Sequence, residues 1–136
     1  MTIELANGFK VRALNAKKPL LNLFSLRLFV NQPTLSGDTV TADLTEPGGA
    51  WYTVKSASPW GLAQLLPDGS AVVRAQVIMW TWGISLFPGV QVFGYWFMDE
   101  NGFYAFGDYF GNPVQMGGPG QGEFTFQPRL FEDTMR

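Results

Sequence analysis

The chain has 136 residues, 46% of them hydrophobic and 15% aromatic, with 12 Phe, 5 Trp and 4 Tyr. That is one domain's worth of chain, and so many aromatics exclude a disordered segment. It holds no Cys and no His, which excludes disulfides, thiolate nucleophiles, zinc–cysteine sites and every mechanism that uses imidazole.

The net charge of −2 does not suggest a binder of duplex DNA. Its distribution is uneven. Residues 1–36 carry Lys10, Arg12, Lys17, Lys18 and Arg27 against Glu4, five minus one or +4; residues 37–136 carry four basic and ten acidic groups, or −6. Such a basic first quarter reads either as a contact for an acidic partner surface or as a solvated segment flanking a strand. Residues 1–22 read as an N-terminal arm or a short helix, with the best helical stretch within Phe9 to Leu23. No signal peptide is visible. The two most apolar runs, Leu20 to Val30 and Ile84 to Met98, are interrupted well short of the ~20 residues that span a bilayer. The chain is therefore expected to be soluble and made without export.

From Phe24 onward a period of two dominates, the mark of half-buried strands. Phe24, Leu26, Leu28 and Val30 form one face of the first, with Ser25 and Arg27 on the other. Thr39 to Thr45 alternates as cleanly, with Val40, Ala42 and Leu44 expected inward. A second short helix is expected from Trp60 to Leu66, ended by Pro67. After a Pro67-Asp68-Gly69-Ser70 turn, Ala71 to Trp82 reads as one strand. Val73, Ala75, Val77 and Met79 share one of its faces; Ile78, Trp80 and Trp82 share the other.

Val90 to Met98 is apolar on both faces, Val92, Trp96 and Met98 against Phe93, Tyr95 and Phe97. A strand of this kind is covered on both sides. In so short a chain the second cover is expected from a partner subunit. Asn101-Gly102 favours a type I′ hairpin to a strand over residues 103–110. Gly111 to Gly122 reads as a long loop, its Gly117 to Gly122 part a flexible Gly-rich stretch or extended arm, and Glu123 to Leu130 as a last strand with Phe124, Phe126 and Leu130 inward. Pro128 places that strand at an edge or ends it in a bulge. Seven or eight short strands between turns predict an all-β, single-domain antiparallel β-sandwich, jelly-roll-like, with at most one or two short helices.

Paired carboxylates are the catalytic device left open without His and Cys, and Asp43, Glu46, Asp99, Glu100, Asp108 and Glu123 are the candidates. A glycosidase needs two facing across a cleft. Asp99 and Glu100 fall instead in a turn, and Asp43 and Glu46 flank another. The Asp99-Glu100-Asn101-Gly102 stretch resembles part of a calcium loop, but Phe110 stands where the distal bidentate Glu belongs. Gly117 to Gly122 lacks the Lys-Ser or Lys-Thr pair and the helix of a phosphate loop. The residues thus argue for a non-enzymatic chain with no catalytic residues, no cofactor and no metal. Trp51, Trp60, Trp80, Trp82 and Trp96 are open to two readings: a sugar-stacking platform, or core and subunit interface.

Leu26-Arg27-Leu28-Phe29-Val30-Asn31, then Ala42 to Tyr52 with its Thr-Glu-Pro-Gly-Gly turn, Val92-Phe93-Gly94-Tyr95-Trp96, and a closing Phe-x-Phe-x-Pro-x-Leu at Phe124 to Leu130 form an ordered set. Together they resemble a family of small virion structural proteins of tailed bacteriophages, over a stretch from about Leu14 to the C-terminus. The resemblance implies a β-sandwich that decorates and cements the head, bound to the major capsid protein or other virion proteins. Its place would be in the virion, on the capsid exterior, after synthesis in the host cytoplasm. It brings no catalytic residues. Lys10, Arg12, Lys17, Lys18, Phe93, Tyr95 and Phe97 are the expected partner-binding residues, in a homo-oligomer (dimer or trimer) that contacts no nucleic acid and no membrane. A tail or fibre component, or a carbohydrate-binding β-sandwich module, is the alternative.

Overall fold

A computed structural model describes residues 6–83 and 89–132; the stretch 84–88, part of the most apolar run, lies outside them. In chain order the elements are α1 (Asn7–Leu21), β1 (Ser25–Phe29), a short 3-10 turn (Thr41–Asp43), β2 (Lys55–Ser56), β3 (Gln64–Leu65), β4 (Ala71–Arg74), β5 (Ile78–Trp82), β6 (Val90–Met98), β7 (Tyr104–Met116), β8 (Gly122–Phe126) and β9 (Arg129–Glu132). The fold is mostly β, with antiparallel sheets and one helix, the class the alternation predicts. Two compact units divide it. One gathers the described residues of Met1–Leu23, Ala57–Ile78 and Gln127–Arg136; the other gathers those of Phe24–Ser56 and Met79–Phe126.

In the first unit, α1 packs on an antiparallel sheet of order β3-β4-β9. Leu14 and Leu21 turn inward from the helix, and Ala71, Val72 and Val73 are buried in the central strand β4. Burying each Leu stabilises the unit by roughly 1.5–3 kcal/mol. Two polar side chains of the helix and that of its C-cap, Asn22, also hold the segment that leads to β4. Lys10 Nζ donates to the Gly69 carbonyl at 2.6 Å, while Asn15 Oδ1 accepts from Ala63 N at 3.0 Å and Asn22 Oδ1 from Trp60 N at 3.1 Å. Trp60 to Leu66 is not the expected second helix. The amides that would close its turns are engaged outside the segment: Gln64 and Leu65 pair with Val72 and Ala71 of β4, and Leu66 N donates to the Ser70 carbonyl at 2.7 Å. The chain stays extended, with β3 at its end.

The second unit has two antiparallel sheets, one of order β2-β1-β6-β7 and one pairing β5 with β8. β1 pairs with β6 so that Leu26 faces Phe97 and Leu28 faces Tyr95; next along, Phe97 faces Phe106 of β7. On this face an aromatic layer joins the sheets. Tyr95 lies 5.0 Å from Phe126 between ring centroids, Trp80 stacks on Phe126 at 6.1 Å, and Phe97 stacks on Phe106 at 4.7 Å. The opposite face holds Phe29 and Trp96, which cluster with Leu44, Leu35 and Tyr104. β6 is therefore covered on both sides, as its sequence requires, but the second cover is the chain's own segment 31–45 and not a partner subunit. That segment is pinned back on β1: Val30 N donates to the Thr45 carbonyl at 2.8 Å and Asn31 Nδ2 to the Asp43 carbonyl at 2.7 Å.

Other expectations are corrected here. Thr39 to Thr45 is no strand, because the Asp43 carboxylate accepts from Val40 N at 3.0 Å and curls the chain into the 3-10 turn. Leu44 goes inward, but Val40 and Ala42 are exposed. Ala71 to Trp82 breaks in two between Arg74 and Ile78, where Ala75 N bonds the Pro128 carbonyl and Gln76 N the Ala57 carbonyl. Val77 and Met79 consequently point outward, while Ile78 and Trp80 are buried. The β6–β7 hairpin exists, but its turn is not type I′, since only Gly102 of the turn has positive φ, at +86°. Asp99 Oδ1 accepts from Asn101 N and Phe103 N, both at 2.9 Å, and holds Asn101 out of the left-handed region. Residues 111–116 belong to β7 and not to a loop: Val90, Gln91 and Val92 pair with Met116, Gln115 and Val114 beyond a bulge. The chain reverses only at Gly117, Gly118 and Gly120, all with positive φ. Glu123 to Leu130 is not one strand: it breaks at the buried Pro128 into β8, which pairs with β5, and β9, which pairs with β4.

Candidate functional site

The four basic residues assigned to partner binding all lie on α1, yet they do not form one surface. At 100° per residue, Arg12 stands about 200° around the helix from Lys10. Lys10 is only 7% exposed, bound to Gly69. Arg12 and Lys17 are exposed and Lys18 is half-buried. Lys10 is thus a structural tie, and the remaining three surround the helix instead of making a patch. The three aromatic candidates are internal: Phe97 is 0% exposed, and Phe93 and Tyr95 are half-buried within the two aromatic layers of the second unit. Neither set offers an open face to a partner.

The carboxylates are dispersed. Glu46 accepts from Tyr52 Oη at 2.5 Å and from Arg27 Nη1 at 3.0 Å, a network that clamps the chain after segment 31–45 to β1. Burial first, then the bond to Glu46, holds the Tyr52 hydroxyl well above its ordinary range. Asp43 and Asp99 close turns, and Asp108 caps Tyr109 N at 2.8 Å. Glu100 and Glu123 are exposed. Hydrogen bonds from the Ser70 hydroxyl and amide hold the Asp68 carboxyl below its usual range, again inside a turn. Among the described residues no group of three or more His, Cys, Asp or Glu could hold a metal ion, and no helix is long and apolar enough to cross a membrane.

The tryptophans divide. Trp60, Trp80 and Trp96 are buried; Trp80 Nε1 donates to the Thr53 carbonyl at 2.8 Å and Trp96 Nε1 to the Leu28 carbonyl at 3.3 Å. Trp51 and Trp82 are half-buried and meet edge to face at 5.8 Å. Trp82 borders an open groove of about 450 Å³ with Thr81, Gln121 and Glu123. One aromatic ring in a shallow groove falls short of the three-ring platform that the sugar-binding reading requires.

The surface that the sequence reading did not single out is the outward side of α1. Phe9, Ala13, Ala16 and Leu20 line it, and Leu23 follows just past the helix end. A helix of a packed unit ordinarily shows polar residues there. Here Phe9 and Leu20 stand exposed on that side, beside the exposed Arg12 and Lys17. Among the described residues Phe9, Arg12, Ala13 and Ala16 border an open groove of about 570 Å³. In the same unit Leu62, Leu65, Val77 and Phe131 are also exposed. The signal is present in the sequence as the spacing 9, 13, 16, 20, 23, interleaved with the basic residues Lys10, Arg12, Lys17 and Lys18.

No protein-family model, no curated protein and no solved structure matches the chain. The resemblance to tailed-phage virion proteins rests on the ordered strand and turn motifs alone.

Proposed function

We propose that the chain is a non-enzymatic virion structural protein of the tailed-phage kind, a head decoration or cement protein that binds major capsid subunits and stabilises the shell. The observation that carries this reading is the exposed apolar side of α1 in a chain whose described carboxylates are tied into turns and one ion pair or stand exposed. Exposed apolar side chains gathered on one side of a helix favour a protein contact. The ordered motifs add the virion assignment. The test is direct: locate the chain in purified particles by image reconstruction, and measure its binding to heads stripped of it. Density on the capsid exterior and restored resistance of the heads to heat are expected. Absence of the chain from purified particles overturns the reading.

A carbohydrate-binding module is the second reading, favoured by Trp82 beside Thr81, Gln121 and Glu123. Titration with glycans that changes tryptophan emission in the parent, but not in a Trp82→Ala variant, would decide for it.

A further inference from the structure

β7 closes one end of the sheet β2-β1-β6-β7, and at 13 residues it is far longer than the two-residue β2 at the other end. Among the described residues it pairs with β6 alone. An end strand offers its outward amides and carbonyls to any strand that can lie beside it. The sequence of β7 sharpens that hazard. Tyr104 to Phe110 reads Tyr-Ala-Phe-Gly-Asp-Tyr-Phe, rich in aromatic residues that favour strands. Asp108 is its one charge, and the only charged residue between Glu100 and Glu123. Without that charge the stretch has the composition of segments that stack edge to edge.

The fold puts the charge where such stacking would start. Phe106, Asp108 and Phe110 follow one another on the aromatic side of β7. Phe106 stacks on Phe97 at 4.7 Å, Asp108 stands opposite Tyr95, and Phe110 meets Phe126 at 5.3 Å. Both phenylalanines are half-buried, while Asp108 between them is exposed. The backbone adds a second element. The Asp108 carbonyl lies against Gly94 of β6, and in a planar trans peptide the carbonyl and the following N–H point opposite ways. The Tyr109 N–H is therefore directed away from β6, toward the outer edge. There the Asp108 carboxylate takes it, Oδ1 accepting from Tyr109 N at 2.8 Å. Tyr109 itself is 37% exposed, so this edge reaches solvent.

We infer that Asp108 guards the edge of β7, its carboxylate keeping the β7 strand of a second copy from pairing there. An incoming strand has to pull the carboxylate from the amide and bury it unpaired between Phe106 and Phe110, which is costly. In an antiparallel β7–β7 pair centred on this residue the two carboxylates also face each other, and like charges directly opposite are destabilising. A lone charge inside an otherwise uncharged strand stretch is the device by which sequences hold such segments apart. This role is independent of the virion reading and concerns a different surface from the outer side of α1.

The test changes the carboxylate in the full-length chain. Asp108→Val removes charge and acceptor together, Asp108→Asn removes the charge alone, and Glu100→Val, in the exposed hairpin turn, is the control. In sedimentation runs at roughly 100 μM, Asp108→Val is expected to self-associate about tenfold or more strongly than the control, with Asp108→Asn between them. Hydrogen exchange of the associated variant should show new protection at Tyr109 and its neighbours in β7. Far-UV spectra and denaturant midpoints identify a variant that has lost its fold. A folded Asp108→Val that associates no more than Glu100→Val overturns the inference, as does new protection confined to residues outside β7. Protection of Tyr109 in the parent that rises with concentration overturns it too. Where Asp108→Val does not fold, the near-isosteric Asp108→Asn decides: association above the control supports the guard, and association equal to it overturns the inference.

Discussion

Lys10 and Arg12 are two residues apart and of like charge, yet their surroundings give them different work. Lys10 reaches across to the Gly69 carbonyl at 2.6 Å in a nearly closed site, whereas Arg12 lies exposed. Lys10→Met is expected to destabilise the protein by about 1–3 kcal/mol, because it leaves a carbonyl unpaired away from water. Arg12→Ser should fall within roughly ±0.5 kcal/mol; urea unfolding of the two variants checks both. Tyr52 supplies a second contrast. Its hydroxyl donates to Glu46 and accepts from Leu28 N at 3.2 Å, and its folded pKa lies above the ordinary 10.0. A group whose pKa is raised by folding contributes its full stability below the unfolded value and loses it as pH climbs toward the folded one. Stability should accordingly decline above about pH 10, and Tyr52→Phe should flatten that alkaline decline. Melting curves taken from pH 8 to 11.5 would show whether the two proteins keep separate slopes.

β6 is the element on which the second unit is built. It pairs with β1 on one side and β7 on the other, and aromatic layers cover both its faces. Gly94 makes the crossing possible. Phe29 of β1 packs over it and the Asp108 carbonyl of β7 lies against it, so a Cβ there would collide with both ring and backbone. Gly94→Ala should cost about 1–3 kcal/mol through overpacking. The loss should appear as a lower denaturant midpoint with an unchanged slope, and Gly111→Ala, where nothing lies within 4 Å of the added methyl, is the control. A Gly94→Ala midpoint equal to that of the control would show that the Phe29 contact is not held. In the first unit the helix plays the corresponding part. α1 uses Asn15 and Asn22 to take the backbone amides of Ala63 and Trp60, which makes an irregular segment as well anchored as a strand.

For the molecule as a whole, the aromatics are more a means of cohesion than a display. Trp60, Trp80 and Trp96 are enclosed, and only Trp51 and Trp82 reach partway to solvent. Emission of the native protein should be blue-shifted, and iodide should quench only a minor fraction of it, recovering full quenching on unfolding. Uniform quenching in the native state would contradict the enclosed aromatic layers. The same division shapes the functional reading. With most rings spent on packing, the exposed large apolar residues include Phe9, Leu20 and Leu23 at α1 and Leu62, Leu65, Val77 and Phe131 in the same unit, and these carry the proposal that the chain acts by association.

Much of this was legible in the alternation. Phe24 to Val30 announced β1, Val90 to Met98 announced a strand covered on both faces, and Pro128 marked an irregularity in the last stretch, though not that it splits into two strands of different sheets. These features depend on side-chain periodicity and on residues with restricted backbones, which local sequence carries. Thr39 to Thr45 alternates equally well and is not a strand, because the Asp43 carboxylate captures a backbone amide that a ladder would have used. Ala71 to Trp82 breaks because distant carbonyls of Pro128 and Ala57 take the amides at its middle. The cover over Trp96 comes from the chain's own Leu35 and Leu44. Periodicity records which side chains share a face; it does not record which distant groups compete for the backbone or which face remains open. Tertiary structure alone decided that Lys10 lies inside and that Phe9 and Leu20, on the same helix, face outward.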